Sequence, residues 1–224
     1  MPLIAHYKMN GDVADASGNG RHGTPTNVSF VAGKIGQAAS FNGTTSKIDV
    51  ANPGDVFDGK LLTVCSWLSR NGASGTVGPR VVDRVFNGQF AVQVRDDTNR
   101  MALAAKCVGG TFDITYLDGT VPPDGTATHA TWVYTGTQIL TYINGSLVGT
   151  QSANYGVLIA STSAMRIGDR VDGTNRKWKG WMGDLRIYNE ALPAWKIQAI
   201  ANDRRGRYAP WEPKIVRPLI GSIA

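Results

Sequence analysis

The sequence predicts an all-β chain of short antiparallel strands, and three observations carry the prediction. Apolar and polar residues alternate over short runs. In Phe90-Ala91-Val92-Gln93-Val94-Arg95, for example, Phe90, Val92 and Val94 share one side while Gln93 and Arg95 share the other, the period of a half-buried strand. Twenty-seven glycines and ten prolines in 224 residues suit many tight turns between short strands. An Asn144-Gly145 step stands between two apolar runs. It reads as a two-residue hairpin turn, because both central residues of such a turn need positive φ. A length of 224 residues is within reach of an all-β sandwich built as one unit.

Taken in order, residues 3–8 form a first strand. Residues 38–42 and 47–50 flank the turn Gly43-Thr44-Thr45. A strongly apolar strand covers 62–69, followed by strands at 81–86, 89–95 and 100–105, with Asp96-Asp97 in the turn before Arg100. Strands at 112–116 and 130–134 are separated by Asp118-Gly119 and Pro122-Pro123-Asp124-Gly125. Residues 139–143 and 146–151 pair across Asn144-Gly145, and strands at 164–168 and 178–188 complete the series. Pro193 suits the first turn of a helix, where its missing N–H has no partner to lose. Leu192, Trp195 or Ala199, and Ile200 then share one face of a short cap helix.

After Asp203 the composition changes. Residues 207–224 hold three prolines at spacings that rule out a helix, yet they are apolar. Disordered tails are poor in such residues. The division expected is a domain at 1–203 and a proline-rich apolar arm at 204–224. The arm should dock on its own domain or on a neighbour, through Pro210, Trp211, Pro213, Ile215, Pro218 and Leu219.

Composition narrows the function. The formal charge is +6, which allows contact with acidic surfaces, but the basic residues are scattered and no basic run is interleaved with aromatics. Nucleic acid is therefore not an expected partner. Arg204, Arg205 and Arg207 cluster after the helix, where cations suit its carbonyl end. No apolar run approaches the ~20 residues that cross a bilayer, so no membrane is expected, and residues 1–8 carry no signal-peptide pattern. Cys65 and Cys107 fall at strand positions and make no disulfide scaffold. Both are expected to be free and buried.

The chain also carries four motifs in a telling order. Asp15-Ala16-Ser17-Gly18-Asn19-Gly20-Arg21-His22-Gly23 comes first, then Gly33-Lys34-Ile35-Gly36-Gln37-Ala38-Ala39-Ser40-Phe41-Asn42-Gly43. Tyr142-Ile143-Asn144-Gly145-Ser146-Leu147-Val148-Gly149 follows, and Lys179-Gly180-Trp181-Met182-Gly183-Asp184-Leu185-Arg186-Ile187-Tyr188 closes the series, running into Asn189-Glu190-Ala191-Leu192-Pro193. In this order they resemble the laminin-G-like branch of the concanavalin A-like jelly rolls, from about Leu3 to Ala201. The resemblance implies a two-sheet antiparallel jelly-roll sandwich with a short C-terminal helix and an extended C-terminal arm.

Relatives with this fold include glucanases, whose two catalytic glutamates lie in a Glu-x-Asp-x-Glu strand. This chain has only two glutamates, Glu190 and Glu212, neither in such a strand, and hydrolysis of a glycosidic bond needs paired carboxylates. His6, His22 and His129 have no second histidine or cysteine at ligand spacing. No nucleophile elbow, phosphate loop or dinucleotide fingerprint is present. No catalytic residue is assigned and no enzyme is expected.

The resemblance implies one candidate cofactor, a structural calcium between the Asp15 turn and an aspartate of the last strand. Here the first acidic position of that strand is Gly183, which leaves Asp184, expected to face the other way. The residues equally allow Asp15 to cap its own turn. The family's other trait is glycan binding. Trp67, Trp132, Trp178, Trp181 and Trp195 are candidates for it, although strand tryptophans are more often core. The glycine-rich loop 70–79 and the loop 170–176 could form a rim.

Two functions follow. The first is a bacteriophage virion structural protein, a capsid decoration protein or fibre component. It would be homo-oligomeric, joined to other virion proteins through the arm, and assembled in the host cytoplasm. The second is a carbohydrate-binding module or receptor-binding lectin.

Overall fold

Two antiparallel sheets stack face to face because most strands present one apolar side to the opposite sheet. The computed structural model describes residues 3–51, 54, 56–84, 89–121 and 125–203. The first sheet runs β13 (Ser146–Ser152), β12 (Gln138–Ile143), β11 (Thr128–Tyr134), β6 (Leu62–Arg70), β15 (Lys179–Tyr188), β4 (Gln37–Asn42), β3 (Ser29–Ala32), with β1 (Leu3–Tyr7) also paired to β15. The second runs β10 (Gly110–Thr120), β9 (Arg100–Cys107), β8 (Phe90–Val94), β7 (Arg80–Arg84), β14 (Met165–Ile167), β5 (Lys47–Val50), β2 (Gly23–Thr26). A helix, α1 (Ala194–Ala201), follows β15 directly. This is the jelly-roll sandwich that the motifs imply.

Alternation along the strands sorts the side chains. From β6, Leu62, Val64 and Leu68 enter the core between the sheets, as do Ala130, Trp132 and Tyr134 from β11. The intervening residues turn outward. On that outer face Cys65, Val133, Tyr142 and Tyr188 form a second core with Leu192, Ile197 and Ile200. The helix that covers them has eight residues, too few to persist without tertiary packing.

The helix begins one residue later than expected. Pro193 is its N-cap with extended φ and ψ, and the buried face is Ile197, Ile200 and Ala201. Residues at i, i+3 and i+4 share a face, so Trp195 falls outside it and is 62% exposed. Leu192 is buried as expected.

Two strands escaped the sequence reading. β2 and β3 are four residues each, at sheet edges and largely exposed, so neither needs an apolar alternation. Both cysteines are free and buried, and burial pushes the Cys65 thiol up to about 12. The arm, its six expected docking residues and the arginines 204, 205 and 207 lie outside the described residues.

The last strand contains the main irregularity. Gly183 stands opposite Trp67 and Arg186 opposite Cys65, so three steps on β15 match two on β6. This is a β-bulge, and Asp184 within it has a φ of 49°. Regular alternation therefore does not set the direction of Asp184.

Candidate functional site

Asp15 lies in the turn that follows β1, and its carboxylate organises that turn. Oδ1 accepts the backbone N–H of His6 and of Ser17, each at 2.9 Å, and Oδ2 accepts that of Arg21 at 2.9 Å. Burial opposes its ionisation, but these N–H donors outweigh burial and hold the carboxyl below its ordinary value. The same turn covers the edge of β1. Asn19 donates its amide to Leu3 O and Ile4 O, Arg21 donates to Ile4 O, and Ala16 N–H donates to His6 O.

Asp184 meets the other side of His6. Its Oδ1 lies 2.6 Å from His6 Nε2, and both of its oxygens accept from Arg186 Nη2 at 3.1 Å. The bulge aims it at this cluster, and its side chain is 5% exposed. Burial again opposes ionisation, and His6 together with Arg186 outweighs it, lowering the pKa. Arg186 also reaches Asp203 at 3.7 Å, tying the last strand to the segment after α1.

The structure thus brings Asp15 and Asp184 to the same residue, His6, but not to a cation site. Calcium takes six to eight oxygens, whereas these carboxylates are committed to N–H donors and to a guanidinium already in place. Among the described residues no group of three His, Cys, Asp or Glu could hold a metal. The pair does not fit calcium. Asp15 instead caps its turn, and Asp184 neutralises Arg186.

A cleft of about 520 Å³ opens on the outer face of the first sheet. Trp67 lines it, between Lys34 and Ile35 of the β3–β4 loop, Asn144 of the β12–β13 turn, and Ala201, Asn202 and Asp203 at the end of α1. Sheet register places Trp67 opposite His129. The two rings meet edge to face at 5.3 Å, and Lys34 Nζ sits 5.3 Å from the Trp67 centroid. Asn144 is fixed by accepting the His129 N–H through Oδ1 at 3.0 Å, while its own N–H donates to His129 O. Trp67 Nε1 and His129 Nε2 are buried with no hydrogen-bond partner among the described residues. Burial pushes the His129 pKa down to about 4, so the ring is neutral at physiological pH.

The remaining candidates separate cleanly. Trp132 and Trp178 are buried core, and Trp181 is half-buried on β15. The 70–79 loop is tethered, since Asp96 pairs with Arg70 and accepts from Ser74 N–H and Oγ. It borders a smaller, open hollow of about 290 Å³ that includes Thr76, Val77 and Asp97. In the 170–176 loop, Asp172 and Asp169 receive backbone N–H groups from Thr174 and Arg176. Glu190 lies 3.8 Å from Lys196 before the helix, and Glu212 lies outside the described residues. Trp67 is one of the five tryptophans that the sequence offers for glycan contact, and although it is largely buried it lines the cleft. Its pairing with His129 was the missing signal, and that depends on strand register.

Comparison with known proteins agrees with this architecture. A family profile described as the concanavalin A-like lectin/glucanases superfamily matches residues 42–198, well over half of the chain. No curated protein matches the sequence. Among solved structures, domain 4 of AbnA, a GH43 extracellular arabinanase from Geobacillus stearothermophilus, in complex with arabinotriose, is 22% identical with a TM-score of 0.70. That match covers 89% of this chain and 98% of the domain. The binding domain of Paraclostridial Mosquitocidal Protein 1 is 17% identical with a TM-score of 0.72, over 90% of this chain and 52% of that one. The binding domain of botulinum neurotoxin DC, in complex with rat synaptotagmin II, is 14% identical with a TM-score of 0.66, over 91% and 52%. The chain spans about half the length of each toxin chain. At these identities the likeness is one of fold.

Proposed function

Since the chain belongs to the concanavalin A-like lectin/glucanases superfamily, we propose that it is a non-catalytic recognition module that binds carbohydrate in the Trp67 cleft. One observation carries the reading. The cleft combines an indole with amide, carboxylate and ammonium groups, and two buried polar atoms at or beside its indole, Trp67 Nε1 and His129 Nε2, lack partners among the described residues. Its volume is in the ordinary range for small-ligand sites. A sugar offers the matching chemistry, hydroxyls that donate and accept around an apolar ring face.

Neutral His129 leaves the site free of a fixed positive charge beneath Trp67, which suits an uncharged ligand. Lys34 covers the indole from an exposed loop position and can swing aside as ligand enters. The arabinotriose complex of one structural relative supports a saccharide ligand, and the two other relatives, each a binding domain, support a recognition role. The narrower alternative, a virion structural protein docked through residues 207–224, rests on residues outside those described. We therefore place glycan recognition first.

The test is affinity electrophoresis of the whole chain through gels containing arabinan and other soluble polysaccharides, with Lys34→Ala, Asn202→Ala and Trp67→Phe beside the native protein. At least one polysaccharide should retard the native chain, and Asn202→Ala and Trp67→Phe should weaken retention by about tenfold, the loss of roughly one hydrogen bond to ligand or of one stacking contact. Retention by no polysaccharide, or equal retention of all four proteins, would refute the reading.

A further inference from the structure

The two sheets end in strands whose outer edges carry unpaired N–H and C=O groups, an open template for another strand unless something blocks it. Most of these edges are blocked. The turn at Asp15 covers β1 through the bonds of Asn19, Arg21 and Ala16. β2 contains Pro25, and the sequence of β10 contains two aspartates. β3 has four residues. β13 differs from all of these. Its seven residues, Ser-Leu-Val-Gly-Thr-Gln-Ser, include no charge and no proline, and all but Gly149 are exposed.

Apolar surface collects at the same edge. Leu147 and Val148 of β13 are 53% and 39% exposed. Trp195 is exposed on α1, one turn before Gln198, whose Cα lies against Gly145 at the start of β13. Three of the six large exposed apolar side chains among the described residues therefore gather at this corner.

We propose that β13 is a self-pairing edge, on which a second copy of this chain adds its own β13 antiparallel across a two-fold axis. A two-fold contact uses one patch on both partners and closes after two copies. It suits this strand because no residue of it ionises, so antiparallel pairing sets no like charges against each other. Seven residues at the strand rise span about 23 Å, with a bulge at Val148, which has no opposite residue on β12, inside that span. The pairing joins the two eight-stranded sheets into one and leaves the Trp67 cleft of each copy on the outer sheet face.

The experiment is sedimentation velocity of the full chain over a wide concentration range, together with hydrogen exchange read at residues 146–152. The native chain should form a dimer whose fraction rises with concentration, and exchange in β13 should slow in step. The variant carrying Val148→Lys and Thr150→Lys sets four lysines at the pairing. It should stay monomeric, with the melting temperature that the native protein shows when dilute enough to be monomeric. A native chain that is monomeric throughout overturns the proposal, as does a dimer that survives both lysines in a folded variant. Species larger than a dimer also overturn it, because they indicate a head-to-tail contact with another edge. Slow exchange in β13 that does not change with concentration assigns the edge to a cover within the same chain, with the same consequence. Should the variant fail to fold, the concentration dependence of exchange in the native chain decides alone.

Discussion

Replacing Asp184 by asparagine tests whether the cluster at His6 is a structural ion pair. The variant keeps the shape of the side chain, and asparagine tolerates the φ of 49° at this position. What it loses is one charge, in a place where the Asp184 and Arg186 side chains are 5% and 1% exposed. Removing one partner of a buried pair costs about 3–5 kcal/mol. Arg186 retains Asp203 at 3.7 Å, so about 3 kcal/mol, the lower end of that range, is expected. For a chain of this length that lowers the melting temperature by about 6–12 °C.

The dependence on pH supplies a second reading of the same pair. The Asp184 carboxyl sits below its ordinary value in the fold. Its stabilisation is therefore complete above the unfolded pKa of about 3.9 and is lost as pH falls through the folded value. Urea titrations of both proteins should show the full gap at neutral pH and a closing gap in acid below about pH 4. Calcium or a chelator should leave both curves in place. Asp184→Ala should cost roughly 1–2 kcal/mol more than Asp184→Asn, through left-handed strain. A neutral-pH gap below about 0.5 kcal/mol, the range of ordinary surface changes, would refute the argument, and so would a gap that persists unchanged in strong acid.

Two further outcomes are expected. His129 takes up a proton near 6.5 when unfolded but near 4 when folded, so stability is complete above pH 6.5 and declines as pH falls toward 4, by up to about 3 kcal/mol. His129→Gln should remove most of that slope, and urea midpoints measured across the window check it. Gly180→Ala places a methyl 2.1 Å from the Ser69 carbonyl oxygen at a φ of +132°. A loss of about 3–5 kcal/mol is expected from overpacking and backbone strain together, and a variant that melts with the native protein would contradict the Gly180–Ser69 approach.

Much of the fold was legible because its signals are local. The Asn144-Gly145 turn fixes β12 against β13 through the φ that two residues must adopt, and the observed hairpin pairs Ile143 with Ser146 across it. The strands around Phe90 and Leu62 follow from alternation and apolar run length. β2 and β3 gave no such signal, since exposed edge strands bury little. The helix was legible in place but shifted in phase. At about 100° per residue Trp195 stands about 140° from Ile200, so with Ile197 and Ile200 facing the sheet Trp195 turns to solvent.

The site was less legible, because it depends on which strands meet. Trp67 and Trp132 both read as apolar strand residues. Only the pairing of β6 with β11 shows that one faces the core and the other the cleft beside His129. The direction of Asp184 depends on a bulge that exists only in the register between β15 and β6. The sequence by itself determined the all-β class, most strands and the order of the family's motifs, since turn chemistry and period two act over a few residues. Tertiary structure alone decided the ion-pair role of Asp184, the outward face of Trp67 and the open edge at β13. Each of those is set by contacts between residues far apart in the chain.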